Sequence, residues 1–224
     1  MSKANKSNKA IKYRLYPNDE QKVMFAKTFG CCRFVYNQLL ALQKQRYKDG
    51  ESHLSKLKSN EFATRTLKKD YDFLKEIDKF AVSNAVFHLA DAYDRFFKKQ
   101  NHFPKFKSKR KSKKSYTTNF TNNNILIGKN VIKLPKVGMA KAVIHKLPKD
   151  DWKLKSVTVS QDSVGNYFSS VLFEYEQEDI PSVSKSSTNA IGLDYKSDGL
   201  YMDSNGNKAG VHKYYRESHK KLAK

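Results

Sequence analysis

The feature that most constrains the fold is a change in hydrophobic period, from helical spacing early in the chain to alternation later. In residues 18–100, apolar side chains recur at steps of three or four, which is typical of the buried stripe of a helix. Asn18, with Gln21 three residues later, is a capping-box signal. Helices are predicted over about 18–50, 60–71 and 80–100, and their stripes are interpreted as the core of a bundle rather than a cofactor site. The two clearest stripes are Phe25, Phe29, Cys32, Tyr36, Leu39 and Leu42, and Val82, Val86, Leu89, Tyr93 and Phe96.

Strand patterns lie on both sides of this helical region. Ile11, Tyr13 and Leu15 alternate with cationic or aromatic residues, which predicts a half-buried strand over 10–16 that follows a loose basic tail at 1–9. Short strands at close spacing favour a small barrel or a curled sheet, which closes best if strand 10–16 joins it. The predicted fold class is therefore α+β, a small OB-like β-barrel with an inserted helical bundle. The remaining strands are predicted at 116–120, 125–127, 131–134, 139–145, 154–159 and 167–175.

The charge of the chain points to a polyanionic partner. Lys and Arg number 44 against 22 Asp and Glu, a net charge of +22. Nucleic acid is the leading candidate and an anionic membrane surface is the alternative. No stretch approaches the ~18 apolar residues that a membrane span requires. Residues 1–9 lack the apolar core of a signal peptide, and the adjacent Cys31 and Cys32 suit a reduced state, so a cytoplasmic location without a four-cysteine zinc site is expected.

A basic run at 98–114 carries the clearest candidates for phosphate binding. Nine of its seventeen residues are Lys or Arg and none is acidic, while Phe103 and Phe106 lie within it. The cations can neutralise phosphates and the rings can stack on bases or brace the loop, although such a run can also be a solvated loop. Together with earlier basic residues, the candidates are Lys12, Arg14, Arg33, Lys98, Lys99, Lys105, Lys107, Lys109, Arg110, Lys111, Lys113 and Lys114.

The end of the chain combines a short apolar strand with a carboxylate. Ala190, Ile191 and Leu193 predict a buried strand that delivers Asp194 to its end, as the first strand of an RNase H-like (RuvC) nuclease delivers a metal-binding aspartate. A second strand is predicted at 200–202, with a turn at Asn205-Gly206, and a basic helix at 212–224. The alternative is that Asp194 is a solvated turn residue.

Six stretches, taken in order, resemble the TnpB (OrfB) family of insertion-sequence transposases, which are relatives of type V CRISPR effector nucleases. Each stretch is weak alone, but the ordered set is specific and runs from about residue 9 to the end. The stretches are Lys-Tyr-Arg-Leu-Tyr-Pro at 12–17, Arg-Phe-Val-Tyr-Asn at 33–37, Phe-Pro-Lys-Phe-Lys-Ser-Lys at 103–109, Tyr-Thr-Thr-Asn-Phe-Thr-Asn-Asn-Asn at 116–124, Lys-Leu-Pro-Lys at 133–136 and Ile-Gly-Leu-Asp at 191–194.

The resemblance implies a wedge-like β-barrel, an inserted helical recognition domain and a RuvC nuclease domain. The family holds a transposon-derived guide RNA, whose pairing selects double-stranded target DNA, while the protein recognises a short flanking motif. The boundaries expected here are a basic tail and first barrel strand at 1–17, the helical domain at 18–100, a basic loop with the rest of the barrel at 101–176, a linker at 177–189 and an incomplete RuvC start at 190–224.

The resemblance also implies roles for individual residues. Lys79 and Ser83 match the helix that meets the flanking duplex, and Thr121 and Asn122 match the barrel turn that contacts it. The family often has a longer amide side chain at the position of Ser83, so the preferred flanking motif is expected to differ. The alternative is that Lys79 is simply a lysine at the start of a helix and that the others are ordinary polar residues of turns.

Asp194 resembles the first of three catalytic carboxylates that hold two Mg²⁺ ions in the full-length family. The family's Glu, its second Asp and its zinc ribbon are not found in the thirty residues after Asp194, and Asp198 and Asp203 are not expected to substitute. We therefore expect a catalytically incomplete chain with no bound Mg²⁺ or Zn²⁺, from a truncated or split reading frame.

The sequence allows three functions. The chain is either part of an RNA-guided DNA endonuclease, a stand-alone RNA- or DNA-binding regulator derived from one, or a basic RNA-binding protein of the translation machinery. The ordered motifs argue against the third. The oligomeric state, the guide RNA and the flanking motif are not predictable from the sequence.

Overall fold

The computed structural model describes residues 5–177, 191–195, 199–210 and 213–222. The chain divides into two compact units, 1–178 and 179–224, and each is described by itself. Most of the predicted linker, together with Ala190 and Asp198, lies outside the described residues.

The first unit is α+β, as the two hydrophobic periods predicted. All six strands predicted between residues 115 and 175 are confirmed to within a few residues, and the helices lie between the first and second strands. The elements are β1 (Asn5–Tyr16), α1 (Asp19–Lys48), α2 (Lys56–Glu61), a π-helical segment (Phe62–Leu67), α3 (Lys68–Asp70), α4 (Phe73–Glu76), α5 (Lys79–Phe97), β2 (Lys114–Asn119), β3 (Leu126–Ile127), β4 (Val131–Leu134), β5 (Gly138–Val143), β6 (Lys153–Gln161) and β7 (Tyr167–Gln177).

The start of α1 is fixed by the predicted capping box. The Asn18 side chain accepts a hydrogen bond from the Gln21 backbone N–H at 2.8 Å, and the Gln21 side chain accepts one from the Asn18 N–H at 3.1 Å. The Gln21 amide also donates to the carbonyl of Met139 at 2.9 Å. The cap thus attaches the helix to β5 and also gives one of the otherwise unpaired N–H groups of the first turn, that of Gln21, an acceptor.

The strands form one antiparallel sheet of seven in the order β2-β6-β7-β1-β5-β4-β3. Strand β1 lies at its centre, paired with β7 on one side and β5 on the other, so the prediction that the isolated first strand joins the later ones is confirmed. Tyr13, Val159 and Phe173 accordingly belong to the same sheet.

The predicted closed barrel is wrong. The sheet is open, with β2 and β3 as its edges, and these edges do not pair within the described residues. Helix α1 instead packs Phe25 against Tyr116 of β2 and Tyr167 of β7, with ring centroids 6.3 and 5.4 Å apart. Because a helix covers this part of the apolar face, burying it does not require the sheet to close on itself.

The predicted loose tail is also partly wrong, because β1 begins at Asn5. Lys6 pairs in register with Glu176, and the Lys6 ammonium lies 3.4 Å from the Glu174 carboxylate. Backbone pairing with the long strand β7 orders this polar segment without apolar burial. A hydrophobic pattern therefore could not reveal it.

The second unit contains a small antiparallel sheet and one helix. Its elements are β8 (Leu193–Tyr195), β9 (Tyr201–Asp203), β10 (Lys208–Ala209) and α6 (Tyr214–Leu222). The predicted turn is confirmed: Asp203 accepts hydrogen bonds from the backbone N–H groups of Asn205 and Asn207 at 2.9 and 2.8 Å, and Gly206 has φ +86°. The prediction of a buried strand is wrong, since Ile191 and Leu193 are 57% and 62% exposed.

No helix within the described ranges is long and apolar enough to cross a membrane.

Candidate nucleic-acid interface

Asp78 joins the start of α5 to strand β2. Its carboxylate is buried and accepts hydrogen bonds from the Ala81 backbone N–H at 3.2 Å and from the Thr118 hydroxyl at 2.6 Å. Asp78 is therefore the N-cap of α5, and the cap sets Lys79 at the first helical position. This anchor holds the beginning of the helix next to the turn that follows β2.

An open groove of about 460 Å³ lies where α5 begins, and we call it the lysine–amide groove. Three of the four residues predicted to meet flanking DNA, Lys79, Thr121 and Asn122, line it together. Ser83, one turn further along α5, is partly exposed and is not among the described lining residues. The lining is Lys68, Lys75, Ile77, Asp78, Lys79, Phe80, Thr121, Asn122, Asn124, Pro135 and Lys136.

The lysine–amide groove is electropositive. Lys75 pairs with Asp72 at 2.5 Å, but Lys68, Lys79 and Lys136 make no ion pair with the residues that the structure describes. The pKa of Lys68 is lowered, chiefly by burial, and nearby Asp78 opposes this shift while the positive charges of Lys79 and Lys136 add to it. Because these cations repel one another, an anion entering the groove would relieve unfavourable charge.

The turn that follows β2 presents polar side chains to this groove, and two of its residues have left-handed backbone conformations. Asn122 and Asn123 have φ of 48° and 54°, and the turn is closed by hydrogen bonds from the Asn124 N–H to the Thr121 carbonyl at 3.0 Å and from the Thr121 N–H to the Asn124 side chain at 2.9 Å. Asn tolerates this conformation better than most residues. Asn124 is thus structural, whereas the Asn122 amide is exposed and bonds to none of the described residues.

Lys136 also has a left-handed backbone conformation, which is less common for lysine than for asparagine. It has φ 64° in the turn that follows Pro135, which closes with a 3.3 Å hydrogen bond from the Val137 N–H to the Leu134 carbonyl. Glycine is the usual residue at such a position, and an unbranched lysine there costs about 1 kcal/mol. A strained lysine at the edge of a groove is a candidate for function.

A second and much smaller groove, of about 40 Å³, brings together four of the predicted phosphate-binding residues, Arg33, Lys107, Lys113 and Lys114, and we call it the arginine–lysine groove. Lys107 is held differently from the others. Its backbone exchanges hydrogen bonds with the Asn37 side chain at 2.8 and 2.9 Å, and its ammonium lies 4.0 Å from the centre of the Tyr36 ring. Burial lowers the Lys107 pKa, so this lysine mainly braces the loop on α1.

The tip of the basic loop is ordered by two serines that the sequence did not single out. The Ser108 N–H donates to the Ser112 hydroxyl at 2.9 Å, and the Lys111 N–H donates to the Ser108 hydroxyl at 3.0 Å. This turn keeps the basic side chains between them on the surface. The exposed members of the predicted phosphate-binding set are Lys12, Lys98, Lys99, Lys105, Lys109, Arg110, Lys111, Lys113 and Lys114.

Lys12 and Arg14 lie on the outer face of β1. The Lys12 ammonium is 4.2 Å and the Arg14 guanidinium 5.0 Å from the centre of the Phe168 ring, and Arg14 also donates to the Asn166 side chain. The predicted cationic and aromatic face is therefore present. It is separate from the two grooves, whose described lining residues do not include Lys12 or Arg14.

The described residues do not fit a two-metal site. Asp194 is exposed in the middle of β8, paired in register with Met202. Over 5–177, 191–195, 199–210 and 213–222, no group of three His, Cys, Asp or Glu side chains is arranged to hold a metal ion. Cys31 and Cys32 are free and buried.

Sequence comparison connects these features to known proteins. A family model described as a helix-turn-helix domain, HTH_OrfB_IS605, matches residues 7–52, which in this structure hold most of β1 and the single helix α1. A Streptomyces pristinaespiralis protein named as an RNA-guided DNA endonuclease is 30% identical over 96% of this chain and 53% of its own length. The Escherichia coli K12 protein InsQ, also named as an RNA-guided DNA endonuclease, is 28% identical over 96% of this chain and 52% of its own length.

The chain belongs to the TnpB (OrfB) family. It spans about half the length of these two relatives. A shorter match is the virulence protein VsdF of Salmonella dublin, which is 32% identical over 45% of this chain and 93% of its own length.

Sequence reasoning missed three residues of the lysine–amide groove. Lys68 lies beyond the π-helical segment, where helical periodicity is broken, so its direction could not be predicted. Lys136 stood inside the family-like stretch 133–136 but had no role assigned to it. Asp78 could have been found, because an aspartate directly before an apolar helical stripe is a cap signal.

Proposed function

We propose that the first unit binds a transposon-derived guide RNA and the duplex DNA that flanks its target, as the nucleic-acid-binding part of an RNA-guided DNA endonuclease. The observation that carries the proposal is that Lys79 lines one electropositive groove together with Thr121 and Asn122, which lie far from it in sequence. The names of the TnpB-family relatives support the same function.

The two kinds of side chain in the lysine–amide groove suit different tasks. Lys68, Lys79 and Lys136 provide positive charge for phosphates, which positions a duplex without reading its sequence. The Asn122 amide can donate one hydrogen bond and accept another, the pairing by which Asn recognises the edge of adenine in the major groove. The groove would thus combine phosphate binding with recognition of at least one base in the flanking motif.

The exposed cations of the basic loop are proposed to hold the guide RNA. Three of them, Lys109, Arg110 and Lys111, lie on a turn braced by Ser108 and Ser112, so phosphate binding there does not first have to order a flexible segment. The arginine–lysine groove continues this positive surface towards α1 and α5 through Arg33, Lys113 and Lys114.

The most direct test of guide-RNA binding is to sequence the RNA that co-purifies with the chain after expression from its native element. The proposal predicts enrichment of one transcript from the end of that element. Recovery of ribosomal and transfer RNA in proportion to their abundance would instead favour a general basic RNA-binding protein.

We further propose that this polypeptide of 224 residues does not cut DNA by itself, because Asp194 is not grouped with other carboxylates in the described residues. Two Mg²⁺ ions held by several carboxylates would supply the attacking hydroxide in such a nuclease. Purified chain is expected to leave plasmid DNA intact with guide RNA and Mg²⁺. Cleavage that is lost in Asp194→Ala would contradict this proposal.

A further inference from the structure

A separate pocket lies at the other end of the helices, where the last turns of α1 and α5 meet the chain that follows each. It has a volume of about 600 Å³, within the range of sites that take small organic groups. We call it the aromatic pocket. Its lining is Gln43, Lys44, Tyr47, Lys48, Glu51, His53, Tyr93, Phe96, Phe97 and Phe103.

The inner wall of the aromatic pocket is built from rings packed edge to face. The centroids of His53 and Tyr93 are 4.6 Å apart, those of Phe96 and Phe103 are 5.2 Å apart, and both pairs are T-shaped. This packing fixes the wall. The mouth is different, because Tyr47 is 85% and Phe97 64% exposed. Such large exposed rings beside an apolar cavity indicate a binding surface.

The rim of the aromatic pocket is cationic. The Lys44 ammonium lies 4.7 Å from the centre of the Phe106 ring, and Lys48 also lines the pocket. Lys98 and Lys99 follow Phe97 directly and are exposed. The acidic lining residue, Glu51, is already paired with Arg46. An apolar cavity whose rim lysines make no ion pair among the residues that the structure describes matches a ligand that has a flat apolar body and a negative tail.

Most polar groups inside the aromatic pocket already make hydrogen bonds within the protein. The Gln43 side chain both donates to and accepts from the backbone of Leu54, at 3.2 and 3.1 Å. Burial lowers the His53 pKa, so its ring is neutral near pH 7 and keeps one donor and one acceptor nitrogen. The pocket therefore offers stacking surfaces and few fixed hydrogen bonds, which favours a ligand bound by its ring faces rather than by a specific edge.

We propose that the aromatic pocket binds an unpaired nucleobase of single-stranded RNA, with the adjoining phosphates on Lys44, Lys48, Lys98 and Lys99. Folded RNAs expose bases in loops and at ends, where proteins commonly stack them on aromatic side chains. The inference rests on the proposed binding of RNA and adds where an unpaired segment of that RNA lies. An apolar helix of a partner protein fits less well, because it would leave the lysines of the rim without counter-charges.

The test uses the full chain and an RNA of about twelve nucleotides, all uridine except for one central 2-aminopurine, whose fluorescence falls when it stacks. Phe97→Ala and Tyr47→Ala are expected to weaken binding about 5- to 100-fold and to reduce the quenching. Phe97→Tyr and Tyr47→Phe keep the rings and are expected to bind within about 2-fold of the unmodified chain. Both positions are largely exposed, so circular dichroism is expected to show unchanged folding.

A fully paired RNA hairpin separates this inference from the proposed function. Its affinity is expected to be unchanged in Phe97→Ala. If the unmodified chain binds neither RNA, the proposed function itself fails. If it binds both RNAs but the ring variants change neither affinity nor quenching, only the nucleobase site is overturned. A DNA strand of the same sequence that binds equally tightly would overturn the assignment to RNA, and a dimer that dissociates in Phe97→Ala would mean that a second copy of the chain covers the pocket.

Discussion

At the scale of the residue, Asn122 and Asn123 show how backbone conformation and function can be separated. Both have positive φ, but only Asn122 is among the lining residues of the lysine–amide groove. Glycine adopts this backbone at least as easily as Asn, so replacement by glycine removes the amide without straining the turn. Replacement by alanine would remove the amide and strain the turn together.

We therefore expect Asn122→Gly to keep its thermal stability and to lose discrimination at one base of the flanking motif by about 1–3 kcal/mol, the usual value of one side-chain contact to a base edge. The measurement is competition binding against duplexes that vary at the flank. Asn123→Gly is the matched control and is expected to behave like the unmodified chain. Equal loss in both variants would mean that the turn, rather than the Asn122 amide, matters.

The two cysteines give a second prediction at this scale. Burial raises the pKa of the Cys31 thiol to about 11 and that of the Cys32 thiol to about 12. Because the thiolate is the reactive form, both are expected to react with a disulfide reagent near pH 8 about 100-fold more slowly in the folded chain than in guanidinium. Rapid labelling of the folded chain would show that α1 does not bury them.

At the scale of the element, the structure shows what hydrophobic periodicity can and cannot predict. The stripes through Phe25 and Val82 predicted α1 and α5, because helices bury one face at a fixed period. Residues 5–9 pair with β7 without burying an apolar stripe, so no hydrophobic pattern marked them. Closure of the sheet depends on whether β2 meets β3, and a helix covering Tyr116 removed the need for that contact.

The junction between α5 and β2 depends on Asp78. Asp78→Ala removes the cap and leaves the buried Thr118 hydroxyl without its acceptor. A lost cap costs about 1 kcal/mol and a lost hydrogen bond to a charged group about 1.5–3 kcal/mol, so urea unfolding is expected to show a loss of about 2–4 kcal/mol.

Both bonds end on the same carboxylate oxygen of Asp78, so the amide oxygen of Asp78→Asn can accept both of them. This variant is expected to lose less than half as much stability as Asp78→Ala. Thr118→Val leaves the buried Asp78 carboxylate with one donor fewer, so it is expected to lose about 1.5–3 kcal/mol, the usual value of a hydrogen bond to a charged group. Equal stability of Asp78→Ala and the unmodified chain would contradict the proposed anchor of the lysine–amide groove.

At the scale of the whole molecule, motif order predicted the family, while the arrangement of the cations required the structure. That the partner is a nucleic acid stays a prediction from the net charge. Lys107 and Arg14, both predicted to bind phosphates, are engaged with rings and amides of the protein itself. Lys68 and Lys136 instead face the groove. Which lysines are available depends on long-range packing, and net charge carries no information about that.

The most direct test of the central claim, that the first unit is a platform for phosphates, is the salt dependence of its affinity for structured RNA in filter binding. If about six cations meet phosphates, log K is expected to fall against log[salt] with a slope of about −4 to −5.5. Replacing Lys109, Arg110 and Lys111 by alanine should make the slope shallower by about 2–3. The control replaces Lys22 and Lys27, which pair with Asp19 and Glu76, and should leave it unchanged. An affinity that stays constant from low to high salt would contradict the account.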